Sequence, residues 1–117
     1  MSFYMGKWIG IDFDGTLAFQ EYGAVDEEIG KPLQPMIKRV RDLLRNGNEI
    51  KIFTARVHRA NEIQDWLEKV GLPRLEVTNI KDTEMVMLFD DKAVQVERNT
   101  GELVSEDGFK TLEWLLK

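Results

Sequence analysis

"GIDFDGTLAF", residues 10–19, is the stretch on which the fold turns. An apolar run through Trp8, Ile9 and Ile11 reaches Phe13 and sets two aspartates, Asp12 and Asp14, on either side of that ring. Gly15, Thr16 and Leu17 follow at once. A strand that is apolar nearly throughout is one covered on both faces, as in a parallel sheet. Two carboxylates at its end add repulsion to a chain whose formal net charge is already -5. A second acidic pair, Asp90 and Asp91 in "MVMLFDDKAV", stands behind another apolar run.

The rest of the chain supplies the elements around these two ends. The first strand is predicted over Lys7–Phe13, and residues 18–32, "AFQEYGAVDEEIGKP", read as a loop or short flap-like hairpin. A helix is predicted over Gln34–Asn46, with Ile37, Val40, Leu43 and Leu44 on one stripe and Gly47 as its left-handed cap. "NEIKIFTAR" is the second strand; it runs into a helix over Val57–Val70 that turns Ile63, Leu67 and Val70 inward and stops at Gly71 and Pro73. "LEVTN" and "EMVMLFDD" are the third and fourth strands. Ala93–Val96 reads as a short strand, and "ERNTGELV" as a hairpin turning at Asn99, Thr100 and Gly101. "EDGFKTLEWLLK" forms an amphipathic helix through Phe109, Leu112, Leu115 and Leu116.

Strand and helix alternate at short spacing, which predicts an α/β fold: an open, mainly parallel, Rossmann-like sheet with helices on both faces. A length of 117 residues gives one domain, 1–117, closed by the hairpin and helix. Such sheets bind ligands at the carboxyl ends of their strands. Asp12 and Asp14 follow the first strand, Thr54 the second, Lys81 the third, and Asp90 and Asp91 the fourth.

Composition narrows the chemistry. With no cysteine and the single histidine His58, a metal here would be held by oxygen. The excess of 21 acidic over 16 basic residues argues against a broad nucleic-acid face. No stretch has the length and apolarity of a signal peptide or membrane span, so a cytoplasmic protein without membrane association is expected. Two like charges 4 Å apart repel by about 4 kcal/mol at an effective dielectric near 20. A divalent cation relieves that, and an all-oxygen donor set favours Mg²⁺, which commonly shares its site with phosphate. Thr54 and the amide of Ala55, at a strand-to-helix junction, suit a phosphate, and Lys81 adds a compact positive charge. Asp12 can then attack phosphorus, while Asp14 protonates the leaving oxygen and later activates water.

"DFDGTL" resembles the first motif of the haloacid dehalogenase-like (HAD) superfamily, a nucleophilic aspartate followed two residues later by an acid/base aspartate. "IFTAR" resembles the second motif, Lys81 the third-motif lysine (with Lys92 also near), and "LFDD" the acidic fourth. The resemblance implies Asp12 as nucleophile, Asp14 as general acid/base, and Thr54 and Lys81 on the phosphate. It implies Mg²⁺ on Asp12, Asp90 and the backbone carbonyl of Asp14, with Asp91 as a second metal or water ligand; which of Asp90 and Asp91 binds directly stays open. Aspartate at position 14 resembles the phosphatase branch. Too little chain separates the motifs to hold the inserted cap of many relatives, so the site is expected to be open. A large substrate or a neighbouring copy in a homo-oligomer would then cover it.

The expected function is thus a Mg²⁺-dependent phosphomonoester hydrolase working through an aspartyl-phosphate. Its partners would be a phosphorylated small molecule or a nucleic-acid end. Two alternatives stand beside it: a phospho-accepting receiver-type signalling domain, whose usual phospho-accepting aspartate lies mid-chain, and a non-catalytic binding domain of the same fold. A calcium loop fits poorly, because Thr16, Leu17 and Gly23 occupy the positions that need an acid or amide, a glycine and a glutamate. Arg56, His58 and Arg59 read either as solvated residues at a helix start or as a grip on substrate. Trp8, Trp66 and Trp114 read as packing.

Overall fold

The structure is a computed structural model that describes residues 6–21, 28–106 and 113–116. Its frame is a four-stranded sheet of β1 (Trp8–Asp12), β2 (Ile50–Phe53), β3 (Glu76–Thr78) and β4 (Met85–Phe89), with α1 (Gln34–Arg45) between β1 and β2 and α2 (Ala60–Lys69) between β2 and β3. The strand order is β3-β2-β1-β4, and every pairing is parallel. The α/β open parallel sheet expected from the alternation is therefore the architecture found.

Strand alternation decides what each face carries. Ile9 and Ile11 of β1 lie opposite Ile50 and Ile52 of β2, and all four pack with Ile37 and Val40 of α1 and Ile63 and Leu67 of α2. Both helices thus send their apolar stripes into one core. Full burial of such a side chain stabilises by about 1.5–3 kcal/mol. On the alternate positions, Trp8 is buried under the Lys51 ammonium, 4.8 Å from its ring, and donates its indole N–H to Asp82 at 2.8 Å. That hydrogen bond holds the Asp82 carboxyl below the usual carboxylate range. A Cβ at Gly10 would meet Met85 Cε at 2.8 Å, so the Met85 side chain closes over the sheet in the space glycine leaves there.

The helix ends follow the sequence closely. Pro35 opens α1 in the first turn, where a missing N–H is harmless, and Gly47 (φ +84°) closes it. Gly71 (φ +86°) ends α2 in the same left-handed way. The second helix begins later than predicted: Val57–Arg59 form a 3₁₀ turn, and α-helical geometry starts at Ala60. Arg56 (φ -89°, ψ 43°) and Arg59 (φ -109°, ψ 26°) both leave helical geometry, which breaks the run.

Ala93–Val96 is not a strand. Only an antiparallel bridge, Val96 to Leu103, survives, around a turn with Asn99 and Gly101 at positive φ. Val94, Val96 and Val104 are exposed, so β-propensity there finds no packed surface to serve. Phe109 and Leu112 of the expected C-terminal helix lie outside the described residues; Glu113–Leu115 are helical. Among the described residues no helix is long and apolar enough to cross a membrane.

The segment after β1 starts as the predicted hairpin. Phe19 N–H donates to the Lys31 carbonyl at 2.8 Å, and Ala18 bridges Pro32 antiparallel. Its middle, residues 22–27, lies outside the described residues. Trp66 of α2 anchors the base, donating its indole N–H to the Gly30 carbonyl at 3.0 Å while its ring meets Phe13 edge-on at 5.0 Å.

Candidate functional site

Strand register brings the two acidic pairs together. Ile11 lies opposite Phe89, so Asp12 and Asp90 leave adjacent parallel strands side by side. The chain then coils tightly: the Phe13 carbonyl accepts from the amides of Thr16, Leu17 and Ala18 at 2.9–3.2 Å. Gly15 takes φ +87°, and a Cβ on it would sit 2.7 Å from the Asp91 carboxylate. Glycine is needed there twice over, for its dihedral and for its lack of bulk.

Carboxylate oxygens of Asp12, Asp90 and Asp91 all lie within 4.8 Å of one another, an oxygen-only set that could hold a metal ion. Thr16, buried and unassigned in the sequence reading, ties this set together. Its hydroxyl lies 3.0 Å from Asp12 Oδ2 and 3.1 Å from Asp91 Oδ1 and accepts the Asp91 N–H at 3.1 Å. One hydroxyl proton serves two carboxylates, so the arrangement is short of positive charge. Burial, then the hydrogen-bonded Asp91 carboxyl and the Asp90 charge, push Asp12 up from 3.8 to about 7, against a downward pull from Thr16. Asp90 turns its Oδ1 onto the Lys92 N–H at 2.7 Å, which shapes the bend after β4.

Asp14 faces a different neighbour. Arg56 donates Nε to Asp14 Oδ2 at 2.8 Å and a terminal nitrogen to Oδ1 at 2.6 Å, a two-pronged ion pair between side chains each 14% exposed. The Asp14 carboxylate is thereby directed to Arg56, and the three-carboxylate group consists of Asp12, Asp90 and Asp91. The sequence left Arg56 undecided between solvated residue and substrate grip. Its pairing with an aspartate 42 residues away depends on loop geometry that no local pattern encodes.

Thr54 is buried at the end of β2. Its amide donates to the Thr78 carbonyl at 2.9 Å, and its hydroxyl accepts the Arg56 N–H at 3.1 Å. Ala55 is exposed beside it. With α2 starting at Ala60, its dipole begins six residues past Thr54, further than the direct strand-to-helix junction expected. Lys81 is exposed in the connection from β3 to β4, next to Asp82, the partner of Trp8 at the far end of β1. His58 is exposed and Arg59 pairs with Glu62.

No family model and no curated protein matches this chain. Among solved structures, a conserved protein coded by a locus of Bacteroides thetaiotaomicron is similar to it. The TM-score is 0.56 and the identity 18%, over 93% of this chain and 90% of that one. At that identity the likeness speaks for the α/β fold alone.

Proposed function

We propose that this chain is a phosphomonoester hydrolase of HAD type, dependent on Mg²⁺ and acting on a phosphorylated small molecule or nucleic-acid end. The observation that carries the reading is the convergence of Asp12, Asp90 and Asp91 beside Asp14 at the carboxyl edge of the sheet. Asp12 is the residue whose attack forms an acyl phosphate: its oxygen bonds to phosphorus as the phosphorus–oxygen bond to the leaving alcohol breaks. Asp14 delivers a proton to that leaving oxygen, then takes one from the water that attacks the phospho-aspartate, releasing phosphate and restoring Asp12. In this reading the Thr54 hydroxyl and the Ala55 amide receive phosphoryl oxygens; Ala55 is an exposed residue beside the buried Thr54.

The donor set fits a hard divalent cation. Asp12, one or both of Asp90 and Asp91, and the Asp14 backbone carbonyl would hold it; when bound it neutralises the carboxylates and the phosphoryl oxygens. The test is phosphate release from sugar phosphates, nucleotides and 3′- or 5′-phosphorylated oligonucleotides. Release is expected with Mg²⁺, abolished by EDTA, and removed in Asp12→Asn, because a carboxamide cannot form the acyl phosphate. Undiminished turnover in Asp12→Asn sinks the mechanism. A wild type that only holds phosphate on another aspartate, without turnover, favours the receiver-type alternative.

A further inference from the structure

Arg56 has no part in the proposed reaction, yet it forms a two-pronged, largely buried ion pair with Asp14. Both prongs of the guanidinium are engaged, at 2.8 and 2.6 Å, and both side chains are largely withdrawn from solvent. The loop that carries the fork is itself anchored, since the Arg56 N–H donates to the Thr54 hydroxyl at 3.1 Å. The pair therefore joins the loop after β1 to the loop after β2.

A lone aspartate carboxylate turns about its last bond with little preference between orientations. A guanidinium bound to both oxygens fixes the plane of the group, which a lysine ammonium, a point charge, cannot do. We propose that Arg56 is the positioning residue for Asp14, fixing the plane of its carboxylate so that the lone pairs the fork leaves free are those through which it exchanges protons, and that Arg56 is not the group that grips substrate. This inference rests on the hydrolase reading, and its test separates the two.

The measurement compares wild type, Arg56→Gln, Arg56→Lys, Asp14→Asn and the double variant Asp14→Asn/Arg56→Gln, with Mg²⁺, on two probes. Glycerol phosphate has a poor leaving group that needs a proton; p-nitrophenyl phosphate has a good one that does not. In this scheme kcat/KM reports the steps up to transfer onto Asp12, so a misplaced proton donor shows in it only where the leaving group needs help. Arg56→Gln is expected to lower kcat/KM on glycerol phosphate about 10- to 100-fold, and considerably less on p-nitrophenyl phosphate. Arg56→Lys should recover only part of the loss. In the Asp14→Asn background, Arg56→Gln should add nothing further, the signature of two residues acting as one unit. Thermal melts of each variant verify that it is folded.

Equal losses on both probes, a rise in KM with kcat unchanged, or a full additional loss in the double variant overturns the positioning role, because each marks Arg56 as acting on substrate itself. Undiminished kcat/KM in Arg56→Gln overturns it as well, leaving the hydrolase reading intact. Absence of turnover by the wild type on every phosphate overturns the hydrolase reading, and this role with it.

Discussion

Asp12 is where one residue's environment sets a measurable property of the site. Its carboxyl is held at about 7 in the folded chain, against an ordinary 3.8, so the folded state keeps a proton that the unfolded chain gives up. The stability this contributes is fully present below about pH 4 and is lost as pH rises through about 7. A divalent cation needs the ionised form. Its affinity should climb with pH up to about 7 and level off above, with up to about one proton released on binding below that point. Calorimetric titration of Mg²⁺ in buffers of different ionisation enthalpy reads this directly. Proton release is expected near pH 6 and little near pH 8; release independent of pH would show that Asp12 is not among the ligands. Thr16 belongs to the same account. It was legible as part of "DFDGT" but not as the hydroxyl joining Asp12 to Asp91, because that role exists only once two strand ends meet.

The hairpin base shows how an element depends on one small residue. A Cβ at Gly30 would fall 1.9 Å from the Phe19 carbonyl oxygen, backbone that cannot move without breaking the Phe19–Lys31 hydrogen bond. Gly30→Ala should destabilise the protein by about 1–3 kcal/mol, read as a lower urea midpoint. An unchanged midpoint would mean that the two legs of the hairpin separate freely in solution. Elements written as long periodic patterns were legible from sequence: β1, α1 with Gly47, and the end of α2 at Gly71. The start of α2 was not, since "ARVHR" has acceptable helix residues, while Arg56, whose side chain pairs with Asp14, leaves helical dihedrals ahead of a 3₁₀ turn. Ala93–Val96 misled for the opposite reason. Its residues favour strands, but strand formation needs a neighbour to pack against.

In the whole molecule, the order β3-β2-β1-β4 places β1 between two partners and carries the chain from one edge of the sheet to the other before β4 can pair. Parallel arrangement then lines up the strand ends, which is why alternation in sequence sufficed to gather Asp12, Thr54 and Asp90 at one edge. The ion pair of Asp14 with Arg56 was beyond that logic, as it depends on how two loops cross. A cation bound by the folded chain alone adds RT ln(1 + [L]/Kd), about 2.7 kcal/mol at a hundredfold excess over Kd. Saturating Mg²⁺ should therefore raise Tm by roughly 10 °C or more in a domain of about 100 residues. The rise should vanish in Asp12→Asn/Asp90→Asn; an equal rise in that variant would place the binding elsewhere.

The Thr16 hydroxyl and the Asp91 carboxylate are 75 residues apart in the chain. A ribosome must release most of the polypeptide before the second can reach the first. The part of the sheet containing β1, β2 and β3 has its core residues in place earlier in synthesis, but it carries only one of the three clustered carboxylates. A nascent or truncated chain is thus a scaffold with one carboxylate of the three, and the acidic cluster comes into being with the last strand to dock. Timing, as much as geometry, decides when the three carboxylates meet.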